Sequence, residues 1–230
     1  MPDIERDTTA ESAYADHLER SASVWDRWSR WYSLSERDFE PLRIDLINRL
    51  DLEPGATVLE IGCGPGVNFK PIRSAIGASG KLVAIDYSPA MVAKANARVE
   101  RLGYENIEVV RADATTADLG DGYDAAIATL SLSVMPDIER AVENVHESLI
   151  PGGQLAVLDV GPARSGPLRI ANPIITRFLR WYANWNNHED VPEAVVLVFG
   201  GYRQHSRHGF DTVYTLTAER AKSDGRDATD

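Results

Sequence analysis

Residues 55–69, Gly-Ala-Thr-Val-Leu-Glu-Ile-Gly-Cys-Gly-Pro-Gly-Val-Asn-Phe, constrain this chain more than any other stretch. Thr57, Val58, Leu59 and Ile61 form a short apolar, β-branched run that ends in three glycines, and a helix-compatible stretch follows. That order reads as a buried strand, a tight turn and a helix N-terminus. Gly62, Gly64 and Gly66 allow φ > 0 where the chain turns, and they carry no Cβ to hold a ligand off the backbone. N–H groups at the head of the next helix face the same space. Glu60, at the strand end, offers an acceptor to a cationic or hydroxylated group. The stretch reads as a nucleotide-like binding loop.

Strands and helices alternate around it. A helix is expected over 38–50, Pro54-Gly55 opens the first strand, and a helix over 67–77 follows the glycines. Leu82 to Ile85 is a second strand ending at Asp86, and a helix runs from Pro89 to about Leu102 with Ser88 as its N-cap. Ile107 to Val110 is a third strand ending near Asp113, and Tyr123 to Thr129 a fourth. A helix over Asp137 to Leu149 leads through a Pro151-Gly152-Gly153 turn to a fifth strand, Gln154 to Val160. This rhythm implies parallel pairing and a doubly wound sheet. Beyond it come a helical segment over 167–187, a helix from Val191 to Phe199 capped by Asp190, and two antiparallel strands, Tyr202–Arg207 and Thr212–Leu216.

At 230 residues the chain has room for one domain with a sizeable core. Its net charge of −11 is the wrong sign for a nucleic-acid binder. The single cysteine, Cys63, excludes an internal disulfide and fits a reducing compartment. The start of the chain is polar and no apolar run approaches the 18 residues of a membrane span, so the protein is read as cytoplasmic. No His/Cys/Asp cluster has metal spacing, and no nucleophile turn occurs.

Spacing narrows the ligand. A dinucleotide fingerprint needs glycines at positions one, three and six, and a P-loop ends in Gly-Lys-Ser/Thr. Here they stand at one, three and five, Val67 holds position six, and no Lys-Ser/Thr follows. The pattern Glu-x-Gly-x-Gly-x-Gly resembles motif I of the class I S-adenosylmethionine-dependent methyltransferases. The segments around Leu82–Met91, Val109–Ala114, Tyr123–Ser133 and Leu149–Val160 are similar to the later motifs of that family. The resemblance implies a doubly wound, seven-stranded, mostly parallel α/β sheet closed by a C-terminal antiparallel hairpin, with an N-terminal helical lid. It divides the chain into a tail and lid over 1–35, a methyltransferase domain over 36–220 with a substrate-side insertion at 162–200, and a disordered tail over 221–230. Carried over, Gly62, Gly64 and Gly66 would face the methionine part of S-adenosylmethionine, and Glu60 and Cys63 in the same loop count among the cofactor-binding residues. Asp86 would take the ribose, Tyr87 and Met91 would flank the adenine, and Asp113 with Ala114 would bind its polar edge. Asn68 and the Leu130-Ser131 backbone would close the site.

Trp-Asp-Arg-Trp-Ser-Arg-Trp-Tyr at 25–32 resembles the N-terminal element of one subgroup, which holds the quinone C-methyltransferases and the bacterial phosphatidylethanolamine N-methyltransferases. Trp25 and Ser33 stand where that subgroup has Tyr and Asp. Residues 1–12 read as a loose tail ahead of a helix that starts near Ser23, with Trp25, Trp28 and Trp31 or Tyr32 on one aromatic face. Trp25, Trp28, Tyr32, Trp181 and Trp185 are the expected acceptor-side residues, and their character points to a hydrophobic acceptor. Arg169, Arg177 and Arg180 in the insertion suit an anionic headgroup or a peripheral membrane contact. No residue is singled out as a general base. Two other readings share these features: a non-catalytic S-adenosylmethionine-binding protein, and a nicotinamide-dependent oxidoreductase, against which the glycine spacing and the terminal hairpin both speak.

Overall fold

A computed structural model describes residues 3–28 and 39–222, with side chains from Glu11 to Arg27 in the first of these spans. Seven strands form one sheet: β1 Thr57–Ile61, β2 Lys81–Asp86, β3 Ile107–Arg111, β4 Tyr123–Thr129, β5 Leu149–Val160, β6 Arg203–His208 and β7 Val213–Glu219. Their spatial order is β3-β2-β1-β4-β5-β7-β6. The first five strands are parallel, and β7 runs antiparallel to both β5 and β6. This is the expected doubly wound sheet with its terminal hairpin. Strand order reverses between β1 and β4, which leaves a crevice beyond their carboxyl ends.

The central strands are buried on both faces, which explains their largely apolar runs, broken only by Glu60 in β1 and by Asp124 near the start of β4. One face is covered by α2 (Glu40–Asn48), α3 (Phe69–Ile76) and α4 (Pro89–Leu102), which pack Leu46, Phe69, Ile72 and Ala95 against Val58 and Ala84. The other is covered by α5 (Ile138–Ser148) and α7 (Val191–Phe199), through Val142, Val145 and Val195 against Leu59 and Leu155. Helix α6 (Asn172–Ala183) lies between β5 and α7 in the chain. Local signals place several of these boundaries. Ser88 Oγ accepts from Met91 N at 3.2 Å, Asp137 Oδ1 from Arg140 N at 2.8 Å and Asp190 Oδ1 from Glu193 N at 3.2 Å, each an N-cap.

Two expectations are corrected. The acidic start is helical, because α1 runs unbroken from Asp3 to Trp28 and docks through a stripe that begins well before Ser23. Pro151-Gly152-Gly153 is not a turn between a helix and a strand. Strand β5 starts at Leu149, opposite Tyr123, and the next pairing is Ala125 with Gln154, so residues 150–153 swell out as a bulge within the strand. Among the described residues no helix is long and apolar enough to cross a membrane.

Candidate functional site

The glycine turn is held by its own backbone. Cys63 N donates to Ile85 O at 2.9 Å and Gly66 N to Cys63 O at 3.0 Å, tying the loop to β2 and curling it toward α3. Gly62, Gly64 and Gly66 have φ of +64°, +55° and +77°. A Cβ on Gly62 would lie 2.4 Å from the Ser131 Cβ, and one on Gly66 would lie 2.3 Å from the Phe69 ring. Both glycines are therefore dictated by close packing as well as by φ. A Cβ on Gly64 would meet none of the described residues within 4 Å. Gly64 borders the crevice, so its bare backbone forms a cradle that a side chain would fill.

Three strand-end carboxyl groups surround this turn, in three different settings. Asp86 accepts from Gly64 N at 2.8 Å and from Ser88 N at 2.9 Å, which locks the turn to the head of α4. Burial raises its pKa to about 6, against the lowering effect of those N–H groups. Glu60 is fully buried behind the turn and accepts from Asn68 Nδ2 at 2.9 Å. Its other oxygen, Oε2, and Asn68 Oδ1 have no partner among the described residues. Burial pushes Glu60 up to about 8, so it is largely protonated at neutral pH. Asp113 accepts from Thr115 N and Thr116 Oγ1, at 3.0 and 3.1 Å, and also from the Tyr14 hydroxyl.

Tyr14 belongs to α1, and that helix roofs the crevice. Tyr14, Leu18, Ser21, Ala22 and Trp25 recur at helical spacing on one face, and the last four line the cavity. His17 Nε2 donates to Val134 O at 2.9 Å. Asp26 accepts from Ser88 Oγ at 2.5 Å, at the head of α4. Asn184, in the left-handed C-cap of α6, donates to His17 O at 3.1 Å and to Ser21 Oγ at 2.7 Å. Burial of Tyr14 and its bond to Asp113 both raise the phenol pKa. Burial holds His17 below the ordinary imidazole value, hence neutral. The lid is pinned at several points along its length.

Of the residues expected at the cofactor, Gly62, Gly64, Asp86, Tyr87, Met91, Asp113, Ala114, Leu130 and Ser131 come together around one crevice. Glu60, Cys63, Gly66 and Asn68 lie outside its lining. Cys63 is buried in the core beneath the turn, where desolvation raises its thiol pKa well above the usual value. Gly66 and Asn68 border a separate hollow beside Lys70 and Arg98. Sequence reasoning missed Tyr14, Leu18 and Ser21 on the lid and the Val134-Met135-Pro136 segment opposite. The signal for the lid residues was their helical spacing, which the tryptophans further along overshadowed. Among the described residues no group of His, Cys, Asp and Glu could hold a metal ion.

A second, apolar chamber adjoins the crevice. It is lined by Trp25, Leu130 and Val134, which also line the crevice, and by Phe178, Tyr182 and Trp185 from α6 and its exit, with Phe39 and Arg43 on the far side. Of the expected acceptor-side residues, Trp25 and Trp185 line this chamber. Trp181 does not: it is 72% exposed and outside the lining. The Trp28 side chain and Tyr32 lie outside the described residues.

Residues 58–153 match the family described as "Methyltransferase domain". The phosphatidylethanolamine N-methyltransferase of Cereibacter sphaeroides is 29% identical over 136 residues, 57% of this chain and 65% of that protein. The 2-phytyl-1,4-naphtoquinone methyltransferase of Thermosynechococcus vestitus is 26% identical over 167 residues, 72% of this chain and 69% of that protein. A crystal structure of a SAM-dependent methyltransferase from Aquifex aeolicus shares the fold, with a TM-score of 0.57 at 21% identity, covering 77% of this chain and 88% of that one. The chain spans about a third to two thirds of the length of the first curated relatives it matches. Sheet order, glycine turn and family match agree on residues 58–153 as a methyltransferase domain, and that domain together with the fold implies S-adenosylmethionine as the cofactor.

Proposed function

We propose that the protein is an active methyltransferase whose acceptor is a lipophilic small molecule, quinone-like or phospholipid-like. The observation that carries this reading is the apolar chamber sharing Trp25, Leu130 and Val134 with the cofactor crevice. The names of two relatives, which act on a phospholipid and on a prenylated quinone, support it.

The crevice suits the cofactor. Gly64 offers a bare cradle, Asp86 an acceptor on the crevice wall for ribose hydroxyls, and Tyr87 and Met91 apolar surfaces for a base. S-adenosylmethionine supplies a methyl group already activated by its sulfonium. What remains for the protein is to align donor and acceptor and to exclude water. Trp25, Leu130 and Val134 stand where the two ligands would meet, and α1 covers the junction. No Asp, Glu or His occurs among the described residues lining the chamber. That favours a nucleophile already ionised, or one that loses its proton after transfer.

The test is formation of S-adenosylhomocysteine with detergent-dispersed quinols and phospholipids, beside water-soluble amines and catechols. The expected result is a kcat/KM at least about tenfold higher for the lipophilic set, since one or two extra buried methylenes already give that factor. Preference for the soluble set would contradict the acceptor class. Cofactor binding without turnover on any acceptor would favour a non-catalytic binding protein. The nicotinamide alternative falls with the glycine spacing and the family match.

A further inference from the structure

Helix α6 covers the chamber with one face and turns the other to solvent. On the solvent side Ile174, Phe178 and Trp181 of α6 are 74%, 52% and 72% exposed, and Ile170, in the 3-10 turn Pro167–Ala171 just before the helix, is 87% exposed. Within α6 the spacing of four and three residues puts Ile174, Phe178 and Trp181 in one stripe, and Ile170 precedes it in the turn that leads into the helix. Soluble monomers rarely leave a contiguous stripe of large apolar side chains uncovered, and such stripes mark interaction sites. Phe178 stacks on Tyr182 at 5.6 Å and belongs to both the stripe and the chamber lining, so the stripe runs to the mouth of the chamber.

Charge identifies the partner. The chain as a whole carries −11, yet residues 161–187 contain four arginines and no Asp, Glu or Lys. Arg164 is taken up by Asp190 in an ion pair. Arg169, Arg177 and Arg180 are exposed and flank the stripe. A twofold contact with a second copy would set these guanidinium groups against their own counterparts, which opposes association. An apolar stripe edged by arginines is complementary to a surface that is apolar inside and anionic outside. Arginine also matches phosphate with paired N–H donors.

We propose that this face of α6 and the turn before it dock the protein on an anionic bilayer, inserting Ile170, Ile174, Phe178 and Trp181 between headgroups that Arg169, Arg177 and Arg180 engage through their phosphates. Docking there sets the chamber mouth at the level of the acyl chains. A second part of the fold lies at the same end: Phe210, 52% exposed at the tip of the β6–β7 turn, packs on Gly166 just ahead of the turn that leads into α6. Phe210 has φ of +59°, a conformation a bulky residue adopts rarely.

The inference gives the lipophilic-acceptor reading a source for its acceptor, but its test needs neither cofactor nor acceptor. The full chain is floated with vesicles of pure phosphatidylcholine and with vesicles containing phosphatidylglycerol, at moderate salt. Wild-type protein should float with the anionic vesicles only. Reversing Arg169, Arg177 and Arg180 to Glu should lower the partition by about fivefold or more per residue. The Ile170→Asp/Ile174→Asp variant should lower it at least about tenfold, while cofactor affinity by calorimetry, a check on folding, stays at the wild-type value. Wild-type protein that stays unbound, that floats equally with neutral vesicles, or whose variants float as well as it does overturns the proposal. So does a wild-type dimer that the isoleucine variant converts to monomer, which would give the face to a second copy. Methyl transfer surviving any of these results leaves the proposed activity intact.

Discussion

The crevice and the chamber share a wall, and they are built in opposite ways. The crevice is made of backbone: three residues at positive φ, N–H groups held by Asp86, and carboxyl groups at the ends of strands whose register the sheet fixes. The chamber is made of side chains, rings from α1, α6 and the turn after it, which no sheet register holds in place. Such a backbone site has little slack, because a single carbon added at Gly62 or Gly66 collides with a neighbour and one added at Gly64 enters the crevice itself. A side-chain site can be reshaped one residue at a time. The cofactor half of such a protein is thus constrained and the acceptor half free to vary.

The sharpest way to break this contrast is Gly62→Val. The new Cβ would lie 2.4 Å from that of Ser131, at a φ of +64°, and cofactor affinity should fall beyond about 100-fold by calorimetry. Retained binding would mean that the turn has slack after all.

Next in size is a pH effect behind the glycine turn. Glu60 ionises near 4.5 in an unfolded chain but near 8 when folded. Its unfolded form therefore loses a proton first, and stability falls as pH rises between those values. Glu60→Gln should raise the melting temperature by about 5 °C or more at pH 8.5, while leaving it unchanged near pH 4.5. Asp86 and Asp159, both raised to about 6 by burial, act in the same direction over a lower pH range.

Two tryptophans then separate the halves. Trp185→Ala should lower kcat/KM for the acceptor about tenfold with cofactor affinity unchanged, because Trp185 lines the chamber alone. Trp25→Ala should weaken both, since Trp25 lines both. Equal effects of the two changes on cofactor binding would merge chamber and crevice into one site. The smallest effect belongs to Tyr14→Phe. It removes the hydroxyl that ties the lid to Asp113 and should weaken the cofactor only about two- to fivefold.

The same contrast explains what could be read before the fold was known. The crevice was legible because its chemistry is local: Ser88-Pro89 starts α4, and the glycine spacing sets the turn. The lid bond was not, because Tyr14 and Asp113 are 99 residues apart and neither has a distinctive neighbour. The bulge at 150–153 was hidden for a related reason, since Pro151-Gly152-Gly153 marks a break in the ladder equally well inside a strand and before one. Trp181 was assigned to the acceptor by composition alone. Within an amphipathic helix composition does not say which aromatic faces inward, and packing turned Trp181 outward.

The central claim is that the crevice under α1 binds S-adenosylmethionine through the turn that Asp86 holds. Calorimetric titration of wild-type protein and of Asp86→Ala with S-adenosylmethionine and S-adenosylhomocysteine, with NAD as control, tests it most directly. The account predicts micromolar binding of both sulfur compounds, none of NAD, and a loss of at least about tenfold in the variant, because a charge-assisted hydrogen bond contributes about 1.5–3 kcal/mol. Folded wild-type protein that binds neither sulfur compound, or a variant that binds them as tightly, would contradict it.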